Sequence, residues 1–446
     1  MVSQNVLHGS SLSRNLPPKV NGTPKLKLNG KFKGSPASFE LDESILSKHS
    51  MLIGGTGCGK TTLFYHFISQ IKQRMTKDDV MIIFDSKGDF YNKFGKPDDI
   101  VIGNSPQYYQ SSQKWNVYKE VLADGWDEER YTINVQEICK AFFKERTEKN
   151  SSNAFFPNAA RDLLSAIMCA FIKNAKDNKS IASNWFFNDA LITYLNMSDS
   201  TSLVEALRDI PECASVISYI SEEGPQTQGV MSEMFSVMRD LFIGVFAEHG
   251  MFSIRDFVRK KGGKTLFIEY DLAIGNVLTP MYSLLFDLAL KEALGRQKTQ
   301  GNVYLFCDEF KLLPRLEHID DGVNFGRSLG VKIFAGLQSI EQLYEIYKHE
   351  KGRNIAAGFS SIYAFRANDT STRKFVSELF GKNILLEQYK TLDNRIVEEK
   401  RDGYTVEDWD LTELKVGEAI VGLPFEKPFK FYLICINNKI HIHKGR

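Results

Sequence analysis

The sequence predicts an α/β protein with a mostly parallel sheet, into which an all-α segment is inserted. Short apolar runs without polar alternation recur along the chain, as in strands that are buried on both faces. A glycine-rich loop joins the first of these runs to a helix with one apolar stripe. Between residues 115 and 231 helical periods replace the strand pattern. Together these observations predict strand–loop–helix units around one sheet, interrupted once by helices.

Eight apolar runs are the predicted strands. They are Met51–Ile53, Val80–Phe84, Thr265–Tyr270, Val303–Cys307, Val331–Leu337, Ile362–Phe365, Ala419–Leu423 and Phe429–Ile436. Several of them end at polar residues, and open α/β sheets bind their ligands at the carboxyl ends of parallel strands. We therefore expect the functional site at the polar tips of these runs.

The predicted organisation has three parts. Residues 1–39 contain basic side chains but no Asp or Glu, and they are rich in Ser, Asn, Gly and Pro, which predicts a flexible basic arm. Residues 40–114 and 232–446 form the predicted α/β domain. Residues 115–231 form the predicted all-α insertion.

Composition sets limits on the class of protein. The 446 residues are 43% hydrophobic and 25% charged, which is an ordinary globular balance. A net charge of +1 excludes a globally basic nucleic-acid protein, although a local basic channel would not be visible in that sum. The six cysteines contain no Cys-x-x-Cys pair and suit a reducing cytosol. No stretch approaches 18 uninterrupted apolar residues, so we expect a soluble chain.

The glycine-rich loop matches the phosphate-binding pattern G-x-x-x-x-G-K-[ST]. It consists of Gly54, Gly55, Thr56, Gly57, Cys58, Gly59, Lys60 and Thr61, and Thr62 follows it. In this pattern backbone N–H groups surround the β-phosphate, the lysine reaches the β and γ oxygens, and the hydroxyl ligates magnesium. We predict that all nine residues bind nucleotide, with ATP and Mg²⁺ as cofactors. Cys58 stands where serine or alanine is commoner, which predicts sensitivity to thiol reagents.

A second motif is the acidic pair Asp308-Glu309 at the end of the run Val303–Cys307. Asp308 is predicted to join Thr61 in holding magnesium, and Glu309 to polarise the attacking water. The adjacent glutamate favours hydrolysis over phosphoryl transfer and disfavours a metabolic kinase. An Asp-Glu pair that only opens a loop or caps a helix is the structural alternative.

Three further polar residues are candidates for catalysis. Gln338 follows the run Val331–Leu337, where a strand-tip glutamine senses the γ-phosphate or positions water. Arg327 is distant from the P-loop in sequence and is a candidate for acting on a neighbouring subunit's nucleotide, with Arg366 as the second candidate. A surface glutamine and ordinary surface arginines are the alternatives.

These motifs resemble the TraG/TraD-type coupling protein family of conjugative type IV secretion systems, which are FtsK/HerA-like P-loop ATPases. The segments that carry the resemblance are Gly54–Thr61, Phe84–Asp89, Cys307–Phe310, Gly326–Ser328, Leu337–Ile340, Gln342–Tyr347, Phe365–Asp369 and Ser377–Gly381. Few P-loop families share that order and spacing. The resemblance implies a RecA/FtsK-like nucleotide-binding domain over 40–114 and 232–446, with the all-α insertion recognising cargo or DNA.

The resemblance also implies roles and partners. The catalytic residues carried over are Lys60, Glu309, the sensor Gln338 and the trans-acting Arg327, with Thr61 and Asp308 at the metal. The expected assembly is a homohexamer that binds DNA without sequence preference, in single-stranded form. A relaxase or other secreted protein is the expected cargo, and secretion-channel components are further partners. Most members begin with membrane-spanning helices, whereas here the basic arm occupies that place. We expect a cytoplasmic protein that reaches the inner membrane through a partner, with a trimmed or soluble relative as the alternative.

Two other functions remain open at this point. An ATP-regulated docking receptor would recruit a relaxase or effector protein without pumping DNA. A motor for DNA segregation or packaging would share the same catalytic residues. DNA-stimulated hydrolysis separates the first alternative from a coupling motor, and neighbouring genes separate the second.

Overall fold

The computed structural model describes residues 3–149, 153–176, 178–295, 301–390 and 395–434. The strands in these ranges are β1 (Ser3–Gly9), β2 (Leu26–Phe32), β3 (Ser35–Leu41), β4 (Ser50–Ile53), β5 (Val80–Asp85), β6 (Ile100–Ile102), β7 (Thr265–Glu269), β8 (Val303–Cys307), β9 (Val331–Leu337), β10 (Ser361–Ala364), β11 (Lys382–Lys390), β12 (Ile396–Tyr404), β13 (Glu418–Gly422) and β14 (Phe429–Leu433).

The helices in the same ranges are α1 (Glu43–Leu46), α2 (Lys60–Arg74), α3 (Asp89–Phe94), α4 (Val117–Val121), α5 (Glu128–Lys149), α6 (Phe155–Ala175), α7 (Lys179–Trp185), α8 (Asn188–Met197), α9 (Ser200–Leu207), α10 (Ala214–Ile217), α11 (Pro225–Leu241), α12 (Ile254–Lys260), α13 (Gly275–Leu294), α14 (Ile319–Phe325), α15 (Ile340–Tyr347), α16 (His349–Ala357), α17 (Thr370–Phe380) and α18 (Asp408–Thr412).

The main sheet has the strand order β3-β2-β14-β13-β10-β4-β9-β8-β5-β7-β6. The strands from β10 to β6 are parallel neighbours, and β13, β14, β2 and β3 extend the sheet in antiparallel fashion. Every residue of β4, β5, β8 and β9 is buried, which is why these strands read as continuous apolar runs. The predicted mostly parallel α/β sheet is confirmed.

Helices cover both faces of this sheet. Successive residues of β5 point to opposite faces, so Met81 and Ile83 join one hydrophobic core and Ile82 joins the other. The first core contains α2 and α3, through residues such as Phe64. The second contains α13 and the inserted helices. The sheet therefore separates the glycine loop's helix from the insertion.

The all-α insertion lies between β6 and β7 and extends from α4 to α12. The predicted boundary at residue 231 falls inside α11, so that boundary is wrong. The helical segment continues through the rest of α11 and through α12, whose buried Arg255 contacts Asp124 of the insertion at 2.6 Å and Glu292 of α13 at 3.0 Å. In the described part of the chain one helix, α6, is long and apolar enough to span a membrane, and 61% of that window is buried inside the protein.

The prediction of a flexible arm over residues 1–39 is also wrong. β2 and β3 form the edge of the main sheet, while β1 pairs with β11 in a separate three-stranded sheet with β12. In β2 buried and exposed residues alternate, so that Leu26 and Leu28 enter the core while Lys27 points outward. Phe39 of β3 contacts the rings of Phe429 and Phe431, with centroids 5.2 and 4.9 Å apart. The sequence-based prediction missed this alternation because the many lysines of the segment are also typical of a flexible arm.

The apolar runs of the tail form β13 and β14, which complete the sheet as predicted. Cys435 and Ile436, at the end of the second predicted run, lie outside the described residues.

Candidate functional site

The glycine loop connects the carboxyl end of β4 to the first residue of α2. Gly54 has a φ of 149° and Gly59 a φ of 115°, in the region that L side chains rarely adopt. A Cβ on Gly54 would also lie 2.8 Å from Phe365 Cβ. Gly54 N–H donates to the carbonyl of Leu337 and Gly55 N–H to that of Arg366, at 3.1 and 2.8 Å. The loop is therefore held against the two neighbouring strands.

Lys60 is buried and curls back over this loop. Its Nζ donates to the carbonyl of Gly54 at 2.6 Å and to that of Gly55 at 3.0 Å. The ammonium thus lies above the loop, where the phosphates of a nucleotide are bound in this motif.

Asp308 lies directly after β8 and faces the start of α2. Thr61 Oγ1 donates to Asp308 Oδ2 at 3.4 Å, so the two predicted metal ligands meet. Burial raises the pKa of Asp308 to about 6, with a further rise from the charge of Glu309 against the opposing charge of Lys60. A Cβ on Gly336 would lie 2.1 Å from the Asp308 carbonyl oxygen, so glycine there allows β9 to approach.

Gln338 connects the glutamate to the glycine loop. Its Nε2 donates to Glu309 Oε2 at 2.6 Å, and its Oε1 accepts from Thr56 Oγ1 at 3.2 Å. This contact follows from the strand order, because β9 lies between β4, which carries the loop, and β8, which carries the acidic pair. Glu309 Oε1 is buried and has no hydrogen-bond partner in the part of the chain that the structure describes.

Cys58 and Thr62 complete the predicted nucleotide-binding residues. Thr62 is half-buried in the first turn of α2, directly after Thr61. Cys58 is buried, and its carbonyl accepts from the Gly417 N–H at 2.9 Å. Burial raises the pKa of the Cys58 thiol. This burial argues against the predicted sensitivity to thiol reagents, because the thiolate is the reactive form.

The two candidate arginines lie at opposite ends of the parallel strands, Arg366 at the carboxyl ends and Arg327 at the amino ends. Arg366 follows β10, and its carbonyl contacts Gly55, so it belongs to the edge of its own glycine loop. Arg327 is exposed and precedes β9, at the amino ends of the parallel strands. Burial lowers the pKa of Lys48 and of His49, which precede β4 at the same ends of the strands. The charge of Arg327 lowers both further, after that of Lys332 in the case of His49. Arg327 therefore faces away from the glycine loop of its own chain.

The structure adds one site residue to which sequence reasoning gave no role. Asp85 ends β5, and the pairing of Phe84 with Cys307 places it beside Asp308. It accepts from the N–H groups of Phe90 and Tyr91 at 3.0 and 2.9 Å, and burial raises its pKa to about 6. The available signal was an acidic residue directly after an apolar strand, as at Asp308.

The strand order, the glycine loop and the acidic pair define a P-loop NTPase of the RecA/FtsK type with an inserted all-α domain. The sequence model of the family described as the type IV secretion-system coupling protein DNA-binding domain matches residues 36–411. The chain belongs to that family.

Individual relatives agree with this assignment. The coupling protein TraD of Escherichia coli K12 is 23% identical over 338 residues, which are 74% of this chain and 43% of TraD. The chain thus spans less than half the length of that relative.

Solved structures of similar fold include two of the coupling protein TrwB and one of VirB4. Bacterial conjugative coupling protein TrwBdeltaN70 superposes with a TM-score of 0.70 at 21% identity, covering 91% of this chain and 88% of that chain. TrwB in complex with ADP and Mg²⁺ gives 0.68 at 20% identity, with 98% and 95% coverage. VirB4 of Thermoanaerobacter pseudethanolicus gives 0.54 at 12% identity, with 94% and 98% coverage. At these identities the likeness establishes the shared fold.

Proposed function

We propose that the chain is the ATP-hydrolysing coupling subunit of a conjugative type IV secretion system, a hexameric motor that moves DNA or nucleoprotein. The observation that carries this proposal is the chain of contacts from Thr56 through Gln338 to Glu309. It links the nucleotide loop to a glutamate that can accept a proton from water. TrwB has been solved with a non-hydrolysable ATP analogue and with ADP and Mg²⁺, which supports ATP and Mg²⁺ as the cofactors here.

The proposed metal ligands fit magnesium. The Thr61 hydroxyl and the Asp308 carboxylate are hard oxygen donors that lie 3.4 Å apart. When bound, Mg²⁺ would neutralise charge on the β- and γ-phosphates and hold them in line for attack. Lys60 and the N–H groups of the glycine loop bind the same oxygens from the other side.

Hydrolysis is proposed to begin with water held against Glu309. The water oxygen attacks the γ-phosphorus, its proton passes to Glu309, and the bond from the γ-phosphorus to the bridging oxygen breaks to release ADP. Gln338 orients the carboxylate and, through Thr56, couples it to the loop that binds the phosphates. Glu309→Gln is expected to bind ATP and to lose hydrolysis.

A homohexameric ring is proposed to complete each site. Arg327 lies at the sheet edge opposite its own glycine loop, so head-to-tail packing of subunits brings it to a neighbour's γ-phosphate. Arg366 lies beside its own glycine loop, where its backbone carbonyl accepts from the Gly55 N–H, and its exposed side chain is the second candidate for this role.

Mixing two inactive variants tests the ring. The Arg327→Ala subunit keeps the catalytic Glu309 but lacks the trans-acting arginine. The Glu309→Gln subunit keeps that arginine but lacks the catalytic glutamate. Random assembly of equal amounts should restore about a quarter of wild-type hydrolysis, because about a quarter of interfaces then combine both intact groups. The matched mixture of Arg366→Ala with Glu309→Gln should show no such restoration beyond the activity of the Arg366→Ala subunits. If the first mixture shows no restored hydrolysis, Arg327 does not act in trans.

Translocation is tested by the response to DNA. The motor predicts that single-stranded DNA raises ATP turnover severalfold at low salt, without sequence preference and with the stimulation falling as salt rises. Hydrolysis indifferent to DNA, from a protein that remains monomeric, would contradict it. We further propose a cytoplasmic position at the inner membrane, reached through a partner.

The charge of the insertion favours a second role alongside this one. The insertion from α4 to α12, residues 117–260, carries 21 acidic and 15 basic side chains, an excess that repels nucleic-acid phosphate. We therefore propose that the insertion recruits the relaxase or other protein cargo, and that DNA contacts lie elsewhere. Cargo binding that survives in the Glu309→Gln variant, together with DNA-insensitive hydrolysis, would favour the docking receptor over the motor.

A further inference from the structure

The loop Asp85–Asp89 joins β5 to α3 and lies beside the acidic pair. β5 and β8 are parallel neighbours, with Phe84 paired to Cys307, so their carboxyl ends meet at one edge of the sheet. The loop therefore enters the proposed nucleotide site from the side of Asp308, whereas the glycine loop enters from β4, which is separated from β5 by β8 and β9.

This loop is held firmly in place. The Asp85 carboxylate accepts from two N–H groups at the start of α3, at 3.0 and 2.9 Å. The Tyr108 hydroxyl donates to the Gly88 carbonyl at 3.1 Å. Gly88 has a φ of 73°, and a Cβ there would lie 2.8 Å from the Tyr108 hydroxyl oxygen. The backbone on both sides of Lys87 is thus fixed by buried groups.

Lys87 and Asp89 are the exposed residues of this loop, and Lys87 carries its positive charge. The pairing of β5 with β8 places Lys87 two residues beyond the neighbour of Asp308, on the opposite side of β8 from the glycine loop that carries Lys60. Both lysine charges oppose the burial that raises the pKa of Asp308. Within the described ranges Lys87 makes no salt bridge at 4.0 Å or less. A cation that is positioned by a rigid loop and has no carboxylate partner is available to an anionic ligand.

We propose that Lys87 is a second phosphate-binding residue, which contacts the γ-phosphate of ATP and makes the site distinguish ATP from ADP. Lys60 and the glycine loop approach the phosphates from the side of β4, whereas Lys87 stands on the Asp308 side of the site, where the terminal phosphate would be placed. The inference rests on the proposed binding of ATP at this site. In this proposal Lys87 is the group that distinguishes a nucleotide with a third phosphate from one without it.

Calorimetric titration with ADPNP and with ADP, each with Mg²⁺, tests this role. Lys87→Ala should weaken ADPNP binding at least about tenfold, the effect of losing one charge-assisted contact, and leave ADP binding within about twofold. Lys87→Arg should recover most of the ADPNP affinity. Lys96→Ala, which removes an exposed lysine just beyond α3, is the matched control and should bind both ligands as the wild type does.

The two possible failures are distinct. If the wild type binds neither ligand, the proposed nucleotide site itself is wrong. If the wild type binds both and Lys87→Ala loses them equally, or loses neither, the γ-phosphate role is overturned. Lys87→Gln provides a second variant if the alanine variant does not fold, as judged by circular dichroism.

Discussion

Replacement of Gln338 by alanine removes the link between the glycine loop and the catalytic glutamate. In the folded protein its amide donates to Glu309 at 2.6 Å and accepts from Thr56 at 3.2 Å. Neither contact involves the groups that bind the β-phosphate. We therefore expect Gln338→Ala to lower kcat and to leave the affinity for ADPNP within about threefold.

The expected size of the loss follows from these two contacts. A hydrogen bond to a charged group contributes about 1.5–3 kcal/mol, which corresponds to about 10–100-fold in kcat when it is needed in the transition state. The neutral bond from Thr56 contributes about 0.5–1.5 kcal/mol, so Thr56→Val should cost about 2–10-fold. Because Thr56 acts on Glu309 only through Gln338, Thr56→Val should cost nothing further in the Gln338→Ala background.

Steady-state hydrolysis and ADPNP titration of the two single variants and the double variant complete this cycle. Gln70→Ala is the control, because the Gln70 side chain makes two hydrogen bonds to the backbone of Lys27 and one to the His66 carbonyl, at the far end of α2. It should affect stability and not kcat. The reasoning is refuted if Gln338→Ala retains kcat within twofold, or if its loss appears in ADPNP affinity instead.

Three further predictions test other parts of the structure. Phe39→Ala should lower the free energy of unfolding by about 3–5 kcal/mol in urea denaturation, with Lys27→Ala as the exposed control; a flexible N-terminal arm predicts no change for either. Because the folded-state pKa of Asp85, about 6, lies above its ordinary value of 3.8, its contribution to stability is present at low pH and is lost as pH rises through 6. Between pH 4 and pH 7.5 the free energy of unfolding of Asp85→Asn should therefore rise by up to about 3 kcal/mol relative to that of the wild type. An equal pH dependence of the two proteins would contradict this. Gly54→Ala should weaken ADPNP binding at least about tenfold and cost about 1–3 kcal/mol in stability, whereas Gly34→Ala, also at positive φ but facing open space, should leave binding unchanged.

Much of the fold was predictable because burial on both faces leaves a local signal. The parallel strands appear as unbroken apolar runs, and the glycine loop has a fixed spacing that follows from phosphate geometry. The N-terminal strands were missed because only one face of β2 is buried and its outward positions hold lysine, which composition alone assigns to a flexible arm.

The sequence by itself determined which chemical groups are present: a phosphate loop, an acidic pair after one strand and a glutamine after another. These signals are local, since each depends on residues within one loop or one strand tip. Only the tertiary structure decided how they combine. Strand order places β9 between β4 and β8, so that Gln338 joins Thr56 to Glu309, and it places Asp85 beside Asp308. The parallel pairing of β4 with β9 also places Arg327 and its own glycine loop at opposite ends of the strands. Strand order depends on pairings between residues far apart in the chain, and the physical reason that no local pattern reveals it is that every buried apolar strand presents the same backbone hydrogen bonds to any neighbour.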